Sequence, residues 1–264
     1  MSMSSLESRS EVLKLARLLR TPPEELEFLS AVDPADLRVL REQVTDVLFE
    51  ANTGVLQRMA AASKLLPAPV LAKIAERVFG PLLCARIAGL VEVSRGVDVA
   101  KRLSPSFLAD VAGELDPRRA RDIIAKIPAD VVTAVAAELA ARADWIAIGR
   151  FVGSLPEQAT STGLAQLTDS ALLRVAFVLD DKNELDHIAD LLGDERFDGL
   201  ARQAAEQDEW VAAFHLLSHL GEANTHRLVK AVAGLDPELR TEAGRQADEL
   251  GVVDQLGELR DVLT

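Results

Sequence analysis

Apolar residues recur three and four positions apart along most of the chain, with polar residues between them. This spacing places the apolar side chains on one face of an α-helix. The clearest runs lie between residues 107 and 127, at Phe107, Leu108, Val111 and Leu115 and then at Ala120, Ile123, Ile124 and Ile127. No stretch alternates as a half-buried strand does, and no Asn-Gly hairpin signal is present. The pattern therefore predicts an all-α fold.

The prolines predict where these helices begin. Proline is favoured in the first helical turn, where its missing N–H costs nothing and its fixed φ suits the helix. Five of the eleven prolines follow a capping residue, at Thr21-Pro22, Asp33-Pro34, Ser104-Pro105, Asp116-Pro117 and Asp236-Pro237. The spacing of all these signals predicts about 17–19 short helices.

A weak internal repeat suggests how the helices are arranged. The run WIAIGRFVGSL at 145–155 is similar to WVAAFHLLSHL at 210–220, an offset of 65 residues. This offset corresponds to two helical hairpins of about 33 residues each. We predict a superhelix of stacked short hairpins, of the HEAT/armadillo type, over residues 65–264. Residues 1–64 would form a helical cap on what we expect to be one continuous domain.

Residues 104–139, SPSFLADVAGELDPRRARDIIAKIPADVVTAVAAEL, resemble a known kind of helical domain. They are similar to the cytosolic N-terminal domain of MgtE-type magnesium transporters and to the armadillo-like middle region of flagellar motor switch proteins. The resemblance covers about residues 100–170. It implies a right-handed superhelix of helix pairs used for docking and regulation. No transmembrane stretch and no nucleotide-binding module follows, so we do not expect transport by this chain.

The charge distribution restricts the class of partner. The net charge is −13, and residues 1–103 carry +1 whereas residues 104–264 carry −14. An acidic surface repels phosphate backbones, so we expect no nucleic-acid partner. A protein partner with basic segments fits better. With a single cysteine, Cys84, the chain has no intramolecular disulfide, and we expect a cytoplasmic protein that can associate with a membrane.

Catalytic motifs are absent from the sequence. It contains no nucleophile elbow, no phosphate-binding glycine loop and no dinucleotide fingerprint. His215 and His219 are one helical turn apart and are weak candidates for a zinc site. Gly221 is expected to end that helix soon after, and an ordinary polar face is the alternative. We predict no catalytic residue, no cofactor and a function that is not enzymatic.

Two arginines follow the Asp116-Pro117 pair. Arg118 and Arg119 would lie in the first turn of a helix, where cations oppose the helix dipole. Such a conflict can mark an anion or partner site. The alternative is an ion-paired surface, because Glu114, Asp116 and Asp122 lie close by.

The segment from Leu65 to Gly96 is both apolar and basic. We predict a helix from Pro81 to Val93 in which only Arg86 and Glu92 are charged, preceded by a basic amphipathic helix. The segment could be the central helix of the fold, a protein-docking groove or a lipid contact. The candidate interaction residues here are Arg77, Leu82, Leu83 and Arg86.

Two functional hypotheses follow. The first is a non-enzymatic helical-repeat protein that acts as an interaction or regulatory scaffold. The second is a carrier of lipids or other apolar ligands, or a peripheral membrane protein, that uses residues 65–96. A deep apolar cavity beneath residues 82–93 would favour the second hypothesis, and a filled core would favour the first.

Overall fold

The computed structural model describes residues 3–50, 53–206, 210–217 and 219–263. Within these ranges the chain forms seventeen α-helices and no strand. The predicted all-α class and the number of helices are therefore confirmed. In the same ranges no helix is both long enough and apolar enough to cross a membrane.

The chain divides into two compact units. Unit 1 comprises residues 1–45 and 168–264, and unit 2 comprises residues 46–167. One boundary falls inside the helix Pro34–Glu50. These units are defined by their internal contacts, whereas the predicted division after residue 64 concerns the start of a sequence repeat and stays a prediction.

Unit 1 begins with α1 and continues after residue 167 with six helices. Its helices are α1 Met3–Leu19, most of α2 Pro34–Glu50, α12 Asp169–Phe177, α13 Leu185–Asp190, α14 Asp194–Glu206, α15 Trp210–Leu217, α16 Glu222–Ala233 and α17 Pro237–Leu250. Short 3₁₀ helices occupy Pro23–Ala31, Lys182–Glu184, Val253–Gln255 and Gly257–Val262. Helix α12 packs on α14 and α15, and α14 packs on α16.

Unit 2 consists of nine shorter helices in succession. They are α3 Thr53–Ser63, α4 Ala68–Ile74, α5 Gly80–Ala88, α6 Val93–Ala100, α7 Pro105–Glu114, α8 Arg121–Ile124, α9 Ala129–Ala141, α10 Trp145–Val152 and α11 Glu157–Leu164. Helices two apart along the chain pack on each other: α5 on α7, α7 on α9 and α9 on α11, with α4 on α6 and α6 on α8. This order is the one that consecutive helical hairpins produce when they stack.

Most proline signals mark the helix starts correctly. Helix α2 begins at Pro34, α7 at Pro105 and α17 at Pro237. The Ser104 hydroxyl caps α7 by accepting the Phe107 N–H at 3.4 Å. After Thr21-Pro22 the chain forms a 3₁₀ helix that begins at Pro23.

The predicted helix start at Asp116-Pro117 is wrong. Residues 117–119 form a turn, and α8 begins only at Arg121. The Asp116 carboxylate accepts the Arg118 N–H at 3.0 Å, and its carbonyl accepts the Arg119 N–H at 3.1 Å. These two hydrogen bonds to Asp116 hold the turn that precedes α8.

The predicted helix from Pro81 to Val93 is also wrong in length. Helix α5 ends at Ala88, and α6 starts only at Val93. Gly89 ends α5, and a Cβ at this position would lie 2.9 Å from the carbonyl oxygen of Arg119. The close approach of the Arg119 carbonyl explains why a glycine is needed here.

Candidate functional site

Unit 2 contains an apolar cavity of about 250 Å³ that is partly open to the surface. Every residue that lines it lies between Met59 and Leu167, so the cavity belongs to unit 2 alone. The lining side chains are overwhelmingly aliphatic. Those from successive helices include Leu71, Ile87, Val99, Val111, Val135, Leu139, Ile148 and Leu164.

The cavity stays open because small side chains occupy much of its wall. Ala88, Ala112, Ala136 and Gly163 all line it, and Phe79 and Phe151 are the aromatic side chains among the lining residues. A Cβ added at Gly163 would meet only the Ala136 Cβ, at 3.9 Å. The low aromatic content of the chain, 4%, is consistent with a wall that its own side chains do not fill.

Cys84 contributes a thiol to the cavity wall. Its Sγ lies 3.9 Å from the Ala75 carbonyl oxygen, and the residue packs against the cluster that contains Ala85 and Val111. Burial raises the pKa of this thiol to about 11. The thiol is therefore protonated at neutral pH, which makes it an apolar wall group and a poor nucleophile.

Among the described residues that line the cavity, Arg95 alone has a charged side chain. Its Nη2 donates hydrogen bonds to the carbonyl oxygens of Ser63, at 2.9 Å, and of Leu66. Its Nε is buried and has no hydrogen-bond partner. Helix α6 thus places a cation with an unused donor beside an otherwise apolar space.

The wall from residue 75 to residue 79 departs from α-helical geometry. Ala75–Phe79 forms a π-helical turn between α4 and α5, and both end residues line the cavity. Such turns are rare and occur frequently at functional sites. Gly80 follows with a φ of +72°, a backbone conformation that favours glycine.

The outer face of the same segment is apolar and basic. Leu65 is 85% exposed and Val78 is 73% exposed. We call the exposed set formed by Lys64, Leu65, Val70, Lys73, Arg77 and Val78 the basic apolar surface. Helix α4 therefore presents Leu71 to the cavity and Val70 to the outside.

The four interaction candidates of this segment occupy different environments. Arg77 is exposed on the π-helical turn, and Leu82 is 40% exposed. Leu83 is half-buried against the cluster of Leu56, Ala60 and Ile87. Arg86 is half-buried on α5.

Arg118 and Arg119 are ion-paired within unit 2. The Arg118 guanidinium contacts the Asp116 carboxylate at 3.0 Å, and Arg119 Nη2 lies 2.6 Å from Asp46 Oδ1. These contacts agree with the second interpretation of the two arginines, that they belong to an ion-paired surface. Whether a partner also contacts them stays a prediction.

The histidine pair is not assembled on one helix. Helix α15 ends at Leu217, and His219 lies in the turn beyond it, with its Nε2 3.2 Å from Glu7 Oε1. The side chain of His215 lies outside the described residues. Among the residues that are described, no group of three or more His, Cys, Asp or Glu side chains could hold a metal ion.

A buried charge network in unit 1 was missed from the sequence. Lys14 Nζ lies 2.7 Å from Glu11 and 3.1 Å from Asp180, and Arg41 Nε lies 2.9 Å from Glu11. Burial alone would raise the pKa of Glu11, but the charges of Lys14 and Arg41 outweigh it and hold the pKa below its ordinary value. The sequence does contain an indication of this ion pair, because in SEVLKLA the residues Glu11 and Lys14 lie three positions apart in an apolar helix.

Comparison with known proteins adds no family to this description. No protein-family model, no curated protein and no solved structure matches the chain.

Proposed function

We propose that unit 2 binds a narrow apolar ligand, such as a single acyl chain, in its cavity. The observation that carries the proposal is the cavity itself, of about 250 Å³ and lined almost wholly by aliphatic groups. An apolar cavity of about 150 Å³ in another protein stays dry and binds benzene. A larger cavity that is partly open can accept a longer flexible chain.

The energetic cost of leaving the cavity empty supports the proposal. Empty apolar volume costs about 24 cal/mol per Å³, which gives on the order of 6 kcal/mol here as an upper bound, since the cavity is partly open. Domains are stable by only about 5–15 kcal/mol. A ligand that fills the space would restore the missing contacts and would stabilise the folded chain.

The test uses the neutral fluorescent probe N-phenyl-1-naphthylamine, displaced by 1-dodecanol. We expect saturable binding to the unaltered chain and loss of binding in Gly163→Leu, whose side chain would occupy the cavity. The matched control is Gly54→Leu, because Gly54 is an exposed glycine in α3 with open space around its Cβ position. Binding that is absent, or that survives Gly163→Leu unchanged, would overturn the proposal.

A second candidate function is reversible attachment to an anionic membrane through the basic apolar surface. Its charged members are Lys64, Lys73 and Arg77, and Glu76 is the acidic residue between them. Exposed apolar side chains beside basic ones are typical of segments that bind anionic bilayers. The positive character of this surface stands out against the net charge of −13 for the chain.

Vesicle flotation tests this candidate. We expect binding to vesicles that contain phosphatidylglycerol, weaker binding to pure phosphatidylcholine, and loss of binding in Val78→Glu. Phe28→Glu is the matched control, since Phe28 and Val78 are both 73% exposed. Equal binding of the two variants would exclude the basic apolar surface as the attachment site.

The interaction scaffold predicted from the sequence remains a further proposal. It is supported by the −14 charge of residues 104–264, which would attract basic partner segments and make binding sensitive to salt. The HEAT/armadillo superhelix is likewise proposed, and the stacking order of the helices in unit 2 supports it. Partner recovery that does not change at high salt would count against the scaffold.

A further inference from the structure

We propose that the ligand of the unit 2 cavity is a long-chain carboxylate whose head group is bound by Arg95. This inference rests on the proposed function and specifies the chemical class of the ligand. It is carried by the position of one guanidinium at the wall of a cavity that is otherwise apolar.

The hydrogen bonds of Arg95 leave part of its binding capacity unused. Nη2 is held by the carbonyl oxygens of Ser63 and Leu66, which are neutral acceptors. Nε is buried without a partner. These neutral acceptors leave the positive charge of the Arg95 guanidinium without a counter-charge. A carboxylate beside the guanidinium would supply that charge and accept a charge-assisted hydrogen bond.

The position of Arg95 orients the ligand. Its guanidinium reaches the turn after α3, where Leu65 and Leu66 are exposed. Leu139 and Leu164, which line the cavity from α9 and α11, are buried and apolar. An amphiphile can therefore place its charged end near the surface at Arg95 and its chain in the interior, so that no charge is buried unpaired.

A single cation favours a singly charged head group. A carboxylate carries one negative charge, which Arg95 matches. An alkyl phosphate carries about −1.5 to −2 at pH 7 and would leave negative charge uncompensated beside the cavity. A fatty alcohol fills the same space but forms no charge-assisted hydrogen bond.

The experiment compares three probes of equal chain length: dodecanoate, 1-dodecanol and dodecyl phosphate. Each displaces N-phenyl-1-naphthylamine from the unaltered chain, from Arg95→Met and from Arg95→Lys. We expect dodecanoate to bind the unaltered chain more tightly than either other probe. Arg95→Met should weaken dodecanoate by about tenfold or more while leaving 1-dodecanol within about twofold, and Arg95→Lys should restore part of the loss.

The outcomes separate this inference from the proposed function. If neither the fluorescent probe nor 1-dodecanol binds, the proposed function fails and the inference fails with it. If 1-dodecanol binds in the cavity but Arg95→Met weakens dodecanoate and 1-dodecanol equally, the carboxylate inference alone is wrong. Tighter binding of dodecyl phosphate than of dodecanoate also overturns it. Unchanged binding of the fluorescent probe by Arg95→Met shows that the variant is folded.

Discussion

The interiors of the two units differ: one contains a network of paired charges, and the other contains an open apolar cavity. In unit 1, α1 carries Glu11 and Lys14 into the core, with side chains only 3% and 2% exposed, and each meets a charge of opposite sign. In unit 2 the space between the helices is lined by aliphatic groups and remains open. The charges of this network in unit 1 are therefore paired with one another, whereas unit 2 leaves contacts that a ligand would make.

This contrast indicates where function is to be sought. A buried network whose members satisfy one another has a structural explanation that needs no ligand. An open apolar cavity has no such explanation, because its unfilled volume lowers the stability of the folded chain. For this reason we assign the network to folding and the cavity to binding.

The largest expected effect is a loss of stability when a charge of the buried network in unit 1 is removed. Glu11→Gln or Lys14→Met removes one charge from the buried network and leaves its neighbours only partly compensated, which should cost up to about 3–5 kcal/mol of unfolding free energy. Chemical denaturation measures this loss. Arg245→Ala, which removes a solvent-exposed ion pair with Glu242, is the control and should change stability far less. Equal effects of the buried and exposed changes would contradict the contrast between the units.

The next largest expected effect is a gain in the free energy of unfolding when the cavity of unit 2 is filled. Gly163→Leu should stabilise the chain relative to Gly54→Leu by about 1–3 kcal/mol, because both gain helix propensity but only the first buries its side chain in the cavity. Thermal or chemical denaturation of both variants gives the difference. A Gly163→Leu variant that is less stable than Gly54→Leu would show that the space is already filled.

A pH-dependent effect is expected at Lys182 in unit 1. Its amine donates to the carbonyl oxygens of Ala176, at 2.6 Å, and Phe177, at 2.5 Å, and burial lowers its pKa to about 7 from 10.5. Between these values the unfolded chain binds more protons than the folded chain, so this residue makes stability rise with pH over that window. The rise should be smaller in Lys182→Met, measured by denaturation at about pH 7, 8 and 9. An identical slope in both chains would contradict the assignment.

The smallest effect is expected at the turn after α7. Replacing Arg118 and Arg119 by Ala removes ion pairs to Asp116 and Asp46 that are partly exposed to solvent, which should change stability by about 0.5 kcal/mol or less for each residue. Denaturation checks the value. A loss of partner binding without a loss of stability would instead make this turn an interaction site.

The elements of the fold could be predicted from local signals, because helix periodicity and proline caps act over a few residues. Helices α2, α7 and α17 begin at the prolines that the sequence marks. Asp116-Pro117 carries the same signal but is followed by a turn, although Asp33 and Asp116 each accept the N–H two residues further on. Local patterns cannot distinguish these two uses of the same residues.

The candidate site was predicted only in part. The sequence indicates that residues 65–96 form an unusually apolar and basic segment that could contact a lipid. The distant wall residues Ala136 and Gly163 could not be predicted, because they meet the cavity only through the packing of α5, α7, α9 and α11. Arg95 carried no signal in the sequence, since its role depends on which donors the folded chain leaves without partners.

The most direct test of the central claim is a crystal structure of the chain with 1-bromododecane. This neutral probe needs no head-group contact, and bromine can be located by its anomalous scattering. We predict a bromine peak inside unit 2, among side chains such as Ile87, Val135 and Leu164. A structure in which those side chains fill the space and bromine is absent from it would contradict the account.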